Sequence, residues 1–184
     1  MNTRNTSFAL RDMIYTAIYA AVLCAVAPLS ISIGPIPFSF ATMIIYLSAG
    51  SLGTKYGTAS VGIYIVLGAI GLPVFSGFEG GFHKIAGMTG GFIIGYLPLA
   101  MVTGFMSDIS NGSKLKIIFG MVIGTVLLYT CGVIWFLLQT RATLIVALTA
   151  CVFPFLLGDA IKIVMTSLVI PQLKETLSRS RIRS

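Results

Sequence analysis

Six stretches of apolar and small residues, each near the length that crosses a bilayer, dominate this chain, and the loops between them together with the two tails hold most of its charges. A helix needs about 20 mostly apolar residues to span the hydrocarbon core, and every lipid-facing backbone group must be satisfied within it. The pattern predicts transmembrane helices at Phe8 to Leu29, Pro37 to Leu52, Gly57 to Leu72, Gly90 to Met106, Leu115 to Gln139 and Ala142 to Pro171. The second is short, which points to tilt or a shifted boundary. With 57% hydrophobic residues, 9% charged residues and a mean hydropathy of +0.99, an ordinary soluble globule is excluded. The expected class is an all-α integral membrane protein, one membrane domain over residues 1–184.

A cytoplasmic N-terminus puts Arg4, Arg11, Lys55, Lys114, Lys116, Lys174, Arg179, Arg181 and Arg183 inside, and only Lys84 and Arg141 outside. That asymmetry is what the positive-inside rule expects of six spans with both termini cytoplasmic, in a multi-pass protein of the cell membrane. Met1 to Ser7 is short and polar, with no small-residue cleavage pattern after it, so the first helix reads as retained. The net charge of +7 is spread over loops and tails without interleaved aromatics, so no nucleic-acid partner is expected. Cys24, Cys131 and Cys151 all lie in apolar segments, where a free cysteine behaves as a small hydrophobe.

Within the last span, Asp159 and Lys162 interrupt an otherwise apolar run. Residues three apart share a helix face, and ionisable groups at bilayer depth point into the protein, where they meet each other, water or a solute. The pair is the first candidate for a ligand site; the plainer reading is an intrahelical salt bridge facing the bundle. Pro154 removes one helical hydrogen bond ahead of it, so a kink or a late helix start is expected there. No nucleophile with a base and no metal-ligand set accompanies the pair, which argues against an enzyme and against a cofactor. His83 stands alone and reads as a solvated loop residue.

Between the third and fourth spans, residues 68–96 combine many glycines with Pro73, Phe75, Phe78 and Phe82. Glycine allows close backbone approach, and the aromatics make the segment more than a flexible tether. It reads as a packed re-entrant turn or as the wall of a binding cavity, with Gly71 to Gly91 outside and Asp159 and Lys162 as the polar floor. In the second case the Gly-Gly pairs offer backbone N–H groups and the phenylalanines cover an apolar ligand portion. No Gly-Lys-Ser/Thr follows, so neither phosphate binding nor ATP hydrolysis is indicated.

The run Gly68-Ala-Ile-Gly71-Leu-Pro73-Val-Phe75 and the run Gly87-Met-Thr89-Gly90-Gly91-Phe92 resemble the BioY family, the biotin-binding S components of energy-coupling factor (ECF) transporters. Further matching pieces are Gly34-Pro-Ile-Pro37, Leu52-Gly53 with Lys55 and Gly57, and Gly158-Asp159-Ala-Ile-Lys162. The likeness is weakest from Ser110 to Thr149. Where the family has a Thr-Leu-Gln-Thr type sequence, this chain has Ser39-Phe40-Ala41-Thr42 and lacks the glutamine, so no polar role is carried over there.

The resemblance implies biotin as the ligand, with Asp159 accepting from a ureido N–H and Lys162 pairing with the carboxylate. Cβ atoms three residues apart on a helix lie only about 5–6 Å from each other. The pair therefore serves opposite ends of the ligand only if Lys162 reaches away; otherwise Asp159 orients Lys162 at one end. The candidate site residues are Asp159, Lys162, Phe75, Glu79, Gly80, Gly81, Thr89, Gly90, Gly91 and Tyr96. Tyr64 and Tyr96, near span ends, also suit interface anchoring. Ala17, Ala21 and Ala25 form a small-residue stripe that fits either internal packing or a partner helix. In the family such a stripe docks the energy-coupling module, so the implied partners are an ECF transmembrane coupling protein and its ATPase subunits. An S component for another vitamin and a solitary oligomeric facilitator stay open.

Overall fold

Nine helices and strands follow one another in a computed structural model that describes residues 3–32 and 36–182. Gly34 and Pro35 of the family motif, and Arg183 and Ser184 of the tail, lie outside the described residues. The elements are α1 (Thr3–Val26), β1 (Ser30–Ser32), β2 (Pro37–Ser39), α2 (Ala41–Ala69), α3 (Phe82–Ala86), α4 (Gly90–Asp108), α5 (Lys114–Thr140), α6 (Leu144–Cys151) and α7 (Phe153–Ile182). Among the described residues, three helical stretches are long and apolar enough to cross a membrane by length and composition: Gly90–Asp108, Lys114–Thr140 and Leu144–Ser178. The protein is thus an all-α, multi-pass membrane protein apart from one short ribbon.

That ribbon corrects the expected start of the second span. Residues from Pro37 are not helical: β1 and β2 pair antiparallel, Ser30 opposite Ser39 and Ser32 opposite Pro37, and the helix begins only at Ala41. Proline has no N–H for a helix interior but is tolerated at the first position of a strand. The Ser39 hydroxyl donates to the Ala27 carbonyl at 2.9 Å and accepts from the Ala41 N–H at 3.1 Å, which ties the ribbon to the end of α1 and starts α2.

Helix α2 is two legs joined by a reversal at Gly53, whose backbone (φ 79°, ψ −173°) no helix accommodates. Ser48 and Ser60 hydrogen-bond side chain to side chain at 2.6 Å. A straight helix would hold them about 18 Å apart. The carboxylate of Asp108, at the end of α4, accepts from the Thr54 N–H at 2.9 Å and its hydroxyl at 2.6 Å, capping the second leg from outside. The same carboxylate fills the space that a side chain at position 53 would need.

Close approach of α4 and α5 rests on glycines from both sides. Gly91 and Gly95 receive Trp135, Cys131 and Leu128, while Gly120 and Gly124 receive Met106 and Leu99. The expected break near Pro154 lies two residues earlier, at Val152 (φ −125°, ψ −61°), and α7 then runs unbroken past Asp159 and Lys162. Along α7 the exposed residues Leu157, Ile161, Val164, Met165 and Leu168 recur at helical spacing, so one face meets lipid. The opposite face carries Asp159, Lys162, Thr166 and Ile170, all buried.

Candidate functional site

Asp159 and Lys162, each only 5% exposed, lie at the base of a cavity enclosed by α2, α4, α5, α7, the ribbon and the connection between α2 and α4. Lys162 Nζ donates to Asp159 Oδ1 at 2.9 Å, to Thr42 Oγ1 at 2.9 Å and to the Ser39 carbonyl at 2.7 Å. An ammonium has three donors, and all three are used. It also lies 4.0 Å from the centroid of the Phe38 ring, a cation–π contact. Phe38 stacks in turn on Phe155, 6.1 Å away and nearly parallel, and it occupies the space left by Gly158.

The carboxylate is less fully engaged. Oδ1 accepts from Lys162 and, at 3.2 Å, from the Thr42 hydroxyl; Oδ2 accepts from the Tyr129 hydroxyl at 2.6 Å. A carboxylate offers about four acceptor positions, so one on Oδ2 is left for another donor. Buried charges are tolerable only when paired and hydrogen-bonded, and this arrangement does both. Of the two geometries open to the pair, Lys162 adopts the one in contact with Asp159, so both charges serve one end of the cavity.

Apolar and aromatic side chains form most of the remaining wall: Ile36, Pro37, Phe92, Ile93, Leu128 and the rings of Tyr64, Phe75 and Tyr96. Tyr64 meets Phe75 edge to face at 5.6 Å and tilts onto Tyr96 at 6.4 Å. Both tyrosines are buried, so neither is an interface anchor. Phe75 is placed by a turn in which its N–H donates to the Glu79 carbonyl at 2.8 Å, and Gly68 leaves room for its ring. Ser76, Thr89 and Lys84 complete the wall.

Among the residues singled out from sequence, Asp159, Lys162, Phe75, Thr89 and Tyr96 line this cavity, and Glu79, Gly80, Gly81, Gly90 and Gly91 do not. Glu79 is exposed and forms an ion pair with Lys84. Gly80 abuts the Leu72 carbonyl, the Gly81 N–H donates to the Gly68 carbonyl at 2.7 Å, and Gly90 and Gly91 accommodate Ile85 and Trp135. His83 is exposed, and among the described residues no three His, Cys, Asp or Glu side chains gather as metal ligands. Ala17, Ala21 and Ala25 are exposed, so their stripe is not used for packing inside this chain.

Thr42, Tyr129, Ser39, Phe38 and Lys84 belong to the wall without having been picked out by sequence. Thr42 does match the closing threonine of the family's Thr-Leu-Gln-Thr pattern, which was the available signal. Tyr129 falls in the segment of weakest resemblance; only its position among apolar residues, one turn from Thr125, marks it.

Comparison with known proteins gives the chain's family and a solved structure of like fold. The model of the BioY family matches residues 1–179. The Biotin transporter BioY of Thermotoga maritima is 34% identical over 169 residues, covering 90% of this chain and 97% of that protein. The Probable biotin transporter BioY of Pyrococcus horikoshii is 34% identical over 152 residues, covering 83% and 89%. A crystal structure at 2.1 Å of the S-component for biotin from an ECF-type ABC transporter superposes with a TM-score of 0.85 at 28% identity, covering 95% of each chain. With the family model spanning nearly its whole length, the chain belongs to the BioY family.

Proposed function

We propose that this protein is the biotin-binding S component of an ECF-type ABC transporter, a transport subunit of the cell membrane and not an enzyme. The observation that carries the reading is the Asp159–Lys162–Thr42–Tyr129 cluster, a saturated cation beside a carboxylate with one free acceptor position, at the base of an aromatic cavity. That acceptor suits a ureido N–H, and the aromatic wall suits the sulfur ring. Relatives named as biotin transporters support the ligand. Lys84 is the cation of the wall that is not committed to Asp159, and it takes the ligand carboxylate in this reading. Phe75, Thr89 and Tyr96 contact the ligand, while Glu79, Gly80, Gly81, Gly90 and Gly91 hold the loop that encloses it.

The chain forms a single membrane domain with six spans and cytoplasmic termini; the two legs of α2 count as separate spans, and α6 with α7 as the last. The exposed stripe of Ala17, Ala21 and Ala25 docks a transmembrane coupling protein, whose ATPase partners supply energy. The test is to purify the protein and identify by mass spectrometry the small molecule that accompanies it, then to titrate biotin calorimetrically. Biotin bound at one site per chain is the expected result. Its absence from the preparation, with no heat of binding on addition, overturns the reading.

A further inference from the structure

The charges of the cavity wall are two ammoniums, Lys84 and Lys162, and one carboxylate, Asp159. Asp159 and Lys162 neutralise each other, so the wall keeps one uncompensated positive charge at Lys84. Just outside the wall, Glu79 meets that ammonium. We infer that Glu79 is a built-in competitor for the ligand's carboxylate: it occupies Lys84 in the empty protein and yields it when an anionic ligand enters, which limits the preference for acid over neutral ligands that Lys84 creates. The inference rests on the biotin reading of the cavity.

Only side chains need to move in this exchange. The Glu79 backbone is held by the Phe75 turn, whose tight geometry places Gly77 and Phe78 at positive φ, yet its side chain is 50% exposed and free to swing into water. Lys84 sits on α3, and α3 is fixed to α5 by hydrogen bonds from Gln139 to the Ala86 carbonyl at 2.6 Å and from Trp135 to the Gly87 carbonyl at 2.9 Å. The ammonium therefore stays at the wall while its partner changes. A half-exposed ion pair is weak, so it is readily displaced by a carboxylate held in place by the rest of a bound ligand. Without the exchange, a monoanionic ligand would add a second carboxylate beside Lys84, and like charges repel.

Binding to wild type, Glu79→Gln, Lys84→Gln and the double variant is measured by calorimetry with two probes, biotin and its neutral carboxamide. Glu79→Gln should tighten biotin by roughly two- to fivefold and shift the carboxamide much less. Lys84→Gln should weaken biotin and erase most of the difference between the probes, and Glu79→Gln should add nothing in that background. Unchanged or weakened biotin binding in Glu79→Gln, or an equal gain for both probes, overturns the inference while the biotin reading stands. A wild type that binds neither probe overturns the biotin reading and this inference with it.

Discussion

The Tyr129 hydroxyl donates to Asp159 Oδ2 at 2.6 Å, joining α5 to α7 beneath the cavity. Oδ2 is also the oxygen with an acceptor position to spare. Removing the hydroxyl leaves a buried carboxylate short of a donor, a loss of about 1.5–3 kcal/mol for a hydrogen bond to a charged group. Tyr129→Phe should therefore melt earlier than wild type without ligand, and biotin should raise its melting temperature by at least as much. The check is thermal unfolding in detergent with and without biotin; an unchanged melting temperature would show that the bond does not stabilise the empty protein.

Neutralising one member of the buried pair strands the other. Asp159→Asn or Lys162→Met should cost about 3–5 kcal/mol of stability and weaken biotin binding at least about tenfold. The double variant should recover much of the stability, because no charge is left unpaired, but not the affinity. If the double variant binds biotin like wild type, the pair is only a structural salt bridge.

Gly53 combines a positive φ with the Asp108 carboxylate packed against it. Gly53→Ala should lower stability by about 1–3 kcal/mol, through strain and displacement of Asp108. Asp108→Asn, which keeps the shape but weakens the cap on Thr54, should cost nearer about 1 kcal/mol. Equal melting temperatures for Gly53→Ala and wild type would mean that the reversal relaxes freely.

A bulky residue on the exposed stripe of α1 separates docking from binding. Ala21→Trp should leave calorimetric biotin affinity within about twofold, since the position faces away from the cavity, while abolishing biotin uptake in cells that also supply a coupling module. Normal uptake would move the docking surface elsewhere.

Much of the helical framework is readable from apolar run length alone, because lipid demands self-satisfied backbone; α4 and α5 begin and end within two residues of their expected bounds. Run length fails at Pro37, where pairing with Ser32 competes with helix formation in an equally apolar stretch. It fails again at Val152, since a proline is tolerated in the first turn of a helix but not in its interior, and the new helix starts just ahead of Pro154. Within the cavity, Asp159 and Lys162 announce themselves because charge at bilayer depth is rare. Thr42 and Tyr129 do not, because hydroxyls are common in membrane helices and acquire meaning only from what they face. The glycines at positions 80, 90 and 91 look alike in sequence whether they approach a ligand or the protein's own chain; only the packing of Leu72, Ile85 and Trp135 against them tells the two apart.

One of the three acceptors of the Lys162 ammonium is a main-chain carbonyl, that of Ser39. Any residue that keeps the ribbon's path supplies the same atom. The Ser39 hydroxyl enters only indirectly, by tying the ribbon to Ala27 and Ala41, so a comparison of side-chain identities alone passes over one of the contacts that fix the charge.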